Sequence, residues 1–327
     1  MERTRPDLGR IQAPVRAGLD DVVTEIRRII LSDFPPVQAV NDYLAKARGK
    51  LFRPTLVLLA NQVGERGDER APTLGAVVEL VHLATLVHDD AVDHSVLRRG
   101  MPTVSALWNH QSAIIMGDYL YSRAVSELAA FGRTDMIEVL AGAANEMSVG
   151  EMRQLVSADA LGFTEDDYYR LIRAKTASLM SAACELGAML GDEAHREPLK
   201  RFGHYIGMAF QIADDLLDYT ATEAATGKPT GHDLREHKMT LPLIAAMREM
   251  DAAARREVEQ FFADPDPTDD GIEQVVERVA EHGGLDYARD RAESFGEEAA
   301  EALLSLPAGP ATEALEHAVR YVVERKR

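Results

Sequence analysis

The most regular feature of the chain is a helical repeat of apolar positions. Apolar residues recur at spacings of three and four, which is the periodicity of a helix that buries one face. The repeat is clearest in residues 19–30, 51–63, 74–92, 113–128, 136–155, 168–190, 199–219 and 311–323. No Asn-Gly or Asp-Gly pair separates two alternating runs, so no β-hairpin is predicted. The pattern therefore predicts an all-α protein.

Glycine and proline residues divide the chain into segments of helix length. Gly132 and Gly191 are examples of such breaks, and Pro72 suits the first turn of a helix. No stretch between them is long or biased enough to be a linker between domains. We predict a single domain of about a dozen helices over residues 11–327, preceded by a loosely ordered segment at residues 1–10.

Composition narrows the classes of function. Of 327 residues, 54 are acidic and 36 are basic, so the formal net charge is −18, which disfavours a protein that binds nucleic acid. The single cysteine, Cys184, excludes an intramolecular disulfide and a Cys-rich zinc site. No run of apolar residues approaches the ~20 needed to span a membrane, and the charged N-terminus lacks the apolar core of a signal peptide. We therefore expect a cytoplasmic protein without a transmembrane segment.

Two acidic motifs stand at the C-terminal ends of apolar helical segments. Both read Asp-Asp-x-x-Asp, and together they supply six aspartates: Asp89, Asp90, Asp93, Asp214, Asp215 and Asp218. In each motif the first and last aspartates lie four residues apart and share one helix face. Clustered carboxylates repel one another, and a hard divalent cation such as Mg²⁺, shared with substrate phosphates, relieves that repulsion. One such motif is commonly a solvated helix end, but two copies favour a metal site that holds a diphosphate.

Basic residues accompany the acidic motifs. They are Lys50 and Arg53, Arg98 and Arg99, Lys175, Lys228 and Lys238. Taken singly, each is more often a surface charge than a ligand. Their grouping around two acidic motifs in an acidic protein indicates a diphosphate site, because arginine pairs with diphosphate oxygens bidentately and lysine acts as a point charge.

These motifs together resemble a trans-isoprenyl diphosphate synthase (polyprenyl synthetase) of the medium- or long-chain type. The resemblance covers about residue 40 to residue 245, in order. It rests on residues 49–54 (Gly-Lys-Leu-Phe-Arg-Pro), 79–82 (Glu-Leu-Val-His), 89–93 with 98–100 (Arg-Arg-Gly), 117–120 (Gly-Asp-Tyr-Leu), 175–177 (Lys-Thr-Ala), 210–218 and 227–242.

The resemblance implies a helical bundle around a central active-site cavity, a homodimer, and a head-to-tail condensation. An allylic diphosphate ionises under the pull of three Mg²⁺ ions, and the double bond of isopentenyl diphosphate attacks the cation. Asp89, Asp90 and Asp93 match ligands of two ions, and Asp214 matches the main ligand of the third, with Asp215 and Asp218 supporting it.

The resemblance also divides the remaining residues between the two substrates. Four residues match family positions that bind the allylic diphosphate: Arg98, Lys175, Lys228 and Lys238. Four others match family positions that bind isopentenyl diphosphate: Lys50, Arg53, His82 and Arg99. The oxygen dipoles of Thr176 and Gln211 would stabilise the allylic cation, and Phe210 would pack near the isopentenyl group.

The helix before the first acidic motif predicts the length of the product. In the family, a bulky residue four or five positions before the first aspartate accompanies short products, and here those positions hold Thr85 and Ala84, with Val81 further along the same face. The seventeen residues from Pro72 to Asp89 make about 25 Å of helix, or about five isoprene units of roughly 5 Å. This helix contains no Phe, Tyr or Trp. We predict a product of about thirty to forty carbons, with a geranylgeranyl, farnesylgeranyl or farnesyl diphosphate synthase as the alternative.

Three other functions match the sequence less well, and two residues depart from the family pattern. Glu79 and His82 match one half of a di-iron carboxylate site, but the second half is not found in the sequence. A terpene cyclase would not need Lys50 and Arg53, and a non-catalytic regulatory subunit would be expected to lose motif residues. His94 stands where many relatives carry an acidic residue, and His237 stands where they carry glycine.

Overall fold

The structure is a computed structural model that describes residues 7–46, 49–64, 66–98, 100–156, 161–220 and 231–324. In the first half of the chain the elements are α1 (Leu8–Gln12), a 3-10 turn (Ala13–Val15), α2 (Arg16–Ile29), α3 (Pro35–Leu44), α4 (Phe52–Gln62), α5 (Ala71–Val92), β1 (Leu97–Arg98), β2 (Met101–Pro102), α6 (Val104–Leu107), α7 (His110–Ala129) and α8 (Thr134–Val156).

The second half continues as helices and helical turns. In order these are α9 (Glu165–Ile172), a π turn (Arg173–Ala177), α10 (Ser178–Leu190), a 3-10 turn (Glu193–His195), α11 (Arg196–Thr220), α12 (His232–Arg235), α13 (Leu241–Glu249), α14 (Ala252–Ala263), α15 (Asp269–Glu281), α16 (Gly284–Leu303) and α17 (Pro310–Val323). The predicted all-α class is confirmed. Part of the expected loose N-terminus, Leu8 to Arg10, is helical, and residues 1–6 lie outside the described residues.

Two clusters of buried side chains form the interior. The larger is built mainly on α5, which packs against α7, α2 and α4, while α10 packs between α4 and α11. The smaller cluster gathers α9 and α12 to α15 around the second half of α11. Because α11 gives Phe202 to the larger cluster and Ile212 to the smaller one, it joins the two.

The segment predicted as one helix over residues 168–190 is interrupted by the π turn. Glycines of two neighbouring helices allow the backbone to approach it closely. A Cβ at Gly150 would lie 2.7 Å from the Cβ of Ala174, and a Cβ at Gly207 would lie 2.6 Å from the Cα of Ala177. Single π turns within helices are rare and frequently occur at functional sites.

A short antiparallel hairpin corrects the prediction that no hairpin is present. Leu97 pairs with Pro102 and Arg98 pairs with Met101, and Gly100 has a φ of +75°, as hairpin turns of this kind favour. The Tyr43 hydroxyl donates to the carbonyl of Pro102 at 2.6 Å. The hairpin matters for function because it carries Arg98 back toward the end of α5.

Helix α5 also corrects the statement that no run is long and apolar enough to span a membrane. By length and composition alone Ala71–Val92 passes that test, with a mean hydropathy of 1.3 in its best window. Of that window, 56% is buried inside the protein, as in the core helix of a folded domain.

Candidate active site

The first acidic motif lies at the C-terminal end of α5. Asp90 is buried, with 6% of its surface exposed, and its Oδ1 accepts a hydrogen bond from the Nε of Arg98 at 2.7 Å. Asp93 is the C-cap residue of the helix and is exposed. The hairpin therefore places a predicted diphosphate ligand, Arg98, in an ion pair with a predicted metal ligand.

Asp89 is half-buried between charges of both signs. Burial raises the pKa of its carboxyl to about 6; the charge of Lys175 opposes this rise, whereas Glu151 and Asp93 add to it. A carboxylate in this setting is costly to ionise alone and gains from a bound cation.

The second acidic motif is anchored by a chain of buried hydrogen bonds. The Tyr168 hydroxyl donates to Oδ2 of Asp215 at 2.5 Å, and Nε2 of Gln211 donates to Oδ1 of the same carboxyl at 2.8 Å. The Thr176 hydroxyl donates to Oε1 of Gln211 at 2.7 Å. Burial and then the charge of Asp233 raise the pKa of Asp215 well above its usual range, and the two donated hydrogen bonds oppose that rise. The chain joins α9, the π turn and α11, and it fixes which atoms of Gln211 and Thr176 face one another.

The other two aspartates of this motif have different surroundings. Asp214 is exposed, whereas Asp218 accepts hydrogen bonds from the backbone N–H groups of His232 at 3.1 Å and Asp233 at 2.8 Å. Burial, followed by the charge of Asp218, raises the pKa of Asp233 to about 7. The motif thus presents one solvent-facing carboxylate and one that also holds the start of α12.

Two lysines bring positive charge to the acidic motifs. Nζ of Lys175 lies 2.5 Å from Oε2 of Glu151 and 2.9 Å from Oε1 of Gln154, and its charge opposes the rise in the pKa of Asp89.

Lys238 is influenced by aspartates next to both motifs. Burial alone would lower the pKa of its ammonium, but its bond to Glu236 and the charges of Asp233 and Asp93 raise it. Asp93 belongs to the first motif and Asp233 contacts the second, so Lys238 lies within the electrostatic influence of the first motif and of a residue beside the second.

The described residues predicted to bind isopentenyl diphosphate lie on α5 and at the start of α4: His82 is on α5, Arg53 is in the first turn of α4, and Lys50 precedes that helix. His82 and Gly49 line a cavity of about 70 Å³ together with Asp90 and Arg98. The cavity therefore places His82, one of the residues predicted to bind isopentenyl diphosphate, next to the first acidic motif. Arg99 and Lys228, which were predicted to bind substrate, lie outside the described residues.

An aromatic contact joins the segment that contains Lys50 and Arg53 to α11. The Phe52 ring, between Lys50 and Arg53 in the chain, stacks on Phe210 with ring centroids 5.7 Å apart. Lys50 is further fixed through its carbonyl, which accepts a hydrogen bond from Nε2 of Gln12 at 2.9 Å.

The predicted chain-length positions line α5 behind the first motif. Val81 and Ala84 are buried at 0% and 2% exposure. Thr85 is half-buried, and its hydroxyl donates to the carbonyl of His82 at 2.8 Å. Their role in product length stays a prediction.

Both histidines that depart from the family pattern adopt a left-handed backbone. The φ angles are +50° at His94 and +53° at His237. At the end of α5, the N–H of His94 donates to the carbonyl of Ala91 at 3.3 Å and the N–H of Ser95 donates to that of Asp90 at 3.0 Å, which is a Schellman motif. Because this conformation costs a residue with a Cβ about 1–2 kcal/mol, glycine is the usual choice there.

The donor set fits a hard divalent cation that is shared with a ligand. Within the described ranges, no group of three or more His, Cys, Asp or Glu side chains is placed to hold a metal ion by itself. The donors of the acidic motifs are all carboxylate oxygens, and Mg²⁺ typically takes one or two of these together with phosphate oxygens and water.

Sequence analysis assigned no role to four polar residues of this site. Tyr168, Glu151, Gln154 and Asp233 support the predicted residues without belonging to the acidic motifs. Glu151 and Gln154 continue the inward-facing stripe of α8, so polar residues on an otherwise apolar helix face were the available signal. No signal of this kind marked Tyr168.

Comparison with known proteins gives consistent matches along the chain. A sequence profile described as Polyprenyl synthetase matches residues 35–279. An all-trans-nonaprenyl-diphosphate synthase (geranyl-diphosphate specific) from Rhodobacter capsulatus is 39% identical over 317 residues, which cover 96% of this chain and 97% of that protein. An octaprenyl diphosphate synthase from Escherichia coli (strain K12) is 35% identical over 330 residues, covering 98% of each chain.

A solved structure matches the fold over nearly its full length. It is a polyprenyl synthase from Caulobacter crescentus CB15 complexed with calcium and isoprenyl diphosphate. The TM-score is 0.93 and the identity 32%, with 99% of this chain and 100% of that chain covered.

Proposed function

The chain belongs to the polyprenyl synthetase family, and we propose that it joins an allylic diphosphate to isopentenyl diphosphate to make a trans-polyprenyl diphosphate. The names of the two relatives, octaprenyl and nonaprenyl diphosphate synthase, agree with the predicted medium- to long-chain type. Each prenyl unit has five carbons. The product of an octaprenyl diphosphate synthase therefore lies at the upper end of the predicted range of about thirty to forty carbons, and that of a nonaprenyl diphosphate synthase lies above it.

One observation supports the proposal most: each acidic motif has a lysine close enough to interact electrostatically with its carboxylates or with those beside it. Lys175 acts on Asp89, and Lys238 is influenced by Asp93 of the first motif and by Asp233 beside the second. Clustered carboxylates with nearby cations can hold a diphosphate and its counter-ions together, which is the arrangement that ionisation of an allylic diphosphate requires.

The hydrogen-bond chain behind the second motif orients the oxygens that would face the allylic cation. Because Asp215 accepts from Nε2 of Gln211, the amide oxygen of Gln211 must point toward Thr176. The Thr176 hydroxyl gives its hydrogen to that oxygen and leaves its own lone pairs to face the substrate. Oxygen dipoles fixed in this way stabilise a positive charge without reorganising when it forms.

We propose Mg²⁺ as the metal, with three ions per active site. When bound, the ions stabilise the negative charge of the departing diphosphate. Asp214 and Asp93 are the exposed carboxylates of their motifs, and Asp89 is the half-buried one whose ionisation a cation favours. Arg98, which pairs with Asp90, lies where it can also contact the diphosphate.

The second substrate would bind at the neighbouring cavity. His82 lines that cavity, and Lys50 and Arg53 are close in sequence to Phe52, whose ring stacks on Phe210. These side chains would hold the diphosphate of isopentenyl diphosphate, while the aromatic pair gives its hydrocarbon end an apolar surface.

We also propose a homodimer. Large apolar side chains are exposed on adjacent helices, with Ile114 and Ile115 on α7 and Val149 and Met152 on α8. A second copy of the chain would bury them, and sedimentation at micromolar concentration should then give twice the mass of one chain. A cytoplasmic location stays a prediction.

The product assay tests the proposed function. Purified protein is incubated with an allylic diphosphate, excess isopentenyl diphosphate and Mg²⁺, and the dephosphorylated products are separated by reversed-phase chromatography. We expect products longer than the primer in the presence of Mg²⁺ and none after EDTA is added. Unchanged substrates in the complete mixture, or equal elongation with EDTA, would contradict the proposal.

A further inference from the structure

Helix α12 ends in a turn that fixes the backbone of Lys238. The N–H of His237 donates to the carbonyl of Leu234 at 2.9 Å, and the N–H of Lys238 donates to the carbonyl of Asp233 at 2.8 Å. These two hydrogen bonds form a Schellman motif, in which the residue at the position of His237 must be left-handed. The φ of +53° at His237 satisfies this requirement.

The His237 ring packs against two aromatic rings of α14. Its centroid lies 5.5 Å from that of Phe262, nearly edge-on, and 5.9 Å from that of Phe261. Its buried Nε2 makes no hydrogen bond within the part of the chain that the structure describes. Aromatic packing is therefore the contact that holds the ring at its Nε2 edge.

The same turn is tied to the second acidic motif at its other end. The carboxylate of Asp218 accepts the N–H of Asp233, and the carbonyl of Asp233 accepts the N–H of Lys238. Rotation of the turn about this connection would move the Lys238 ammonium relative to both motifs. Arg235 holds one side of α12 by donating to the carbonyl of Pro267 at 3.3 Å. The His237 ring adds a contact with α14 directly beside Lys238, where it opposes that rotation.

We propose that His237 is a positioning residue, and that its ring, held by Phe261 and Phe262, locks the turn that directs Lys238 toward the diphosphate. Glycine at this position would satisfy the backbone but leave the turn without its aromatic anchor. The proposal uses the proposed function only for the role of Lys238, whereas the anchoring of the turn is independent of it.

Three variants separate the ring from the backbone. His237→Gly accepts the left-handed conformation freely, and His237→Asn tolerates it, but both lack the ring. Phe262→Leu removes the ring's partner from a different helix. Phe131→Leu is the matched control, because Phe131 is a half-buried ring that contacts Arg70 beside the start of α5, far from the acidic motifs.

The first readout is amide hydrogen exchange of residues 232–240 in the ligand-free protein. We expect exchange about tenfold faster in both His237 variants and a smaller increase in Phe262→Leu, since local opening follows the loss of tertiary contacts. Phe131→Leu should exchange in this segment as the wild type does.

The second readout divides the kinetic effect between the two substrates. The KM for the allylic diphosphate should rise about five- to tenfold in the His237 variants, because a misplaced ammonium loses its contact, while the KM for isopentenyl diphosphate stays within about twofold. Wild-type exchange in His237→Gly, or faster exchange with an unchanged allylic KM, would overturn the proposal. A wild-type protein without prenyl transfer would refute the proposed function, and the exchange comparison would still decide whether the ring locks the turn.

Discussion

Replacing Tyr168 with phenylalanine removes one hydroxyl from the hydrogen-bond chain behind the second acidic motif. This hydroxyl donates to Oδ2 of Asp215 at 2.5 Å, and Tyr168 is only 2% exposed, so water cannot readily take its place. Loss of a hydrogen bond to a buried carboxylate costs about 2 kcal/mol, which corresponds to a roughly thirtyfold change in the folding equilibrium. The Tyr168 bond also lowers the pKa of Asp215, so its removal should raise that pKa further.

The effect should reach the reaction through Gln211 and Thr176. Without the Tyr168 hydroxyl, one of the two hydrogen bonds that hold the Asp215 carboxyl is lost, so this carboxyl no longer fixes the amide of Gln211 in one orientation. The oxygens facing the allylic cation then lose their fixed direction. We expect kcat to fall about tenfold, with little change in the KM for isopentenyl diphosphate. Urea unfolding measures the first effect, and steady-state kinetics measure the second.

The neighbouring tyrosine provides a matched control. The Tyr169 hydroxyl donates to Glu165 at 2.7 Å and does not contact Asp215. Tyr169→Phe should therefore leave kcat unchanged even if stability falls slightly. A Tyr168→Phe protein with wild-type stability and wild-type kcat would refute the proposed role of the chain.

Three further substitutions test other parts of the site. Arg53→Ala should raise mainly the KM for isopentenyl diphosphate and Lys238→Ala mainly that for the allylic substrate, and identical kinetic profiles would reject this assignment. Ala84→Phe should shorten the product to about fifteen or twenty carbons, since the residue lies about 7.5 Å of helix before Asp89; an unchanged chromatogram would contradict the predicted path along α5. Gly207→Ala should lower the free energy of unfolding in urea by about 1–3 kcal/mol, because the new Cβ would lie 2.6 Å from the Cα of Ala177. An unchanged free energy of unfolding would show that the π turn can shift to accommodate the methyl group.

The sequence predicted the long helices well because their apolar periodicity is strong. The segment at residues 74–92 corresponds to α5 at Ala71–Val92, with Pro72 in its first turn as expected. The π turn could not be predicted in this way, since it depends on contacts with Gly150 and Gly207 of other helices. The hairpin was missed because two-residue strands are too short to show alternation.

Those parts of the site could be predicted in which the functional residues are close in sequence and lie on one helix. Asp89 and Asp93 lie four residues apart, and one turn of helix brings them together. The bond between Tyr168 and Asp215 joins residues 47 positions apart, so it exists only through the packing of α9 on α11. His237 was noticed as a departure from the family pattern, but its meaning required the φ angle and the rings that contact it.

The most direct test of the account is the rate of prenyl transfer after one carboxylate of each acidic motif is neutralised. Asp89→Asn and Asp214→Asn should each lower turnover in saturating Mg²⁺ by about a hundredfold or more while the circular dichroism spectrum stays helical. Asp290→Asn, an exposed change on α16, should be indistinguishable from the wild type. Near-normal turnover in both motif variants would contradict the claim that the two acidic motifs form the active site.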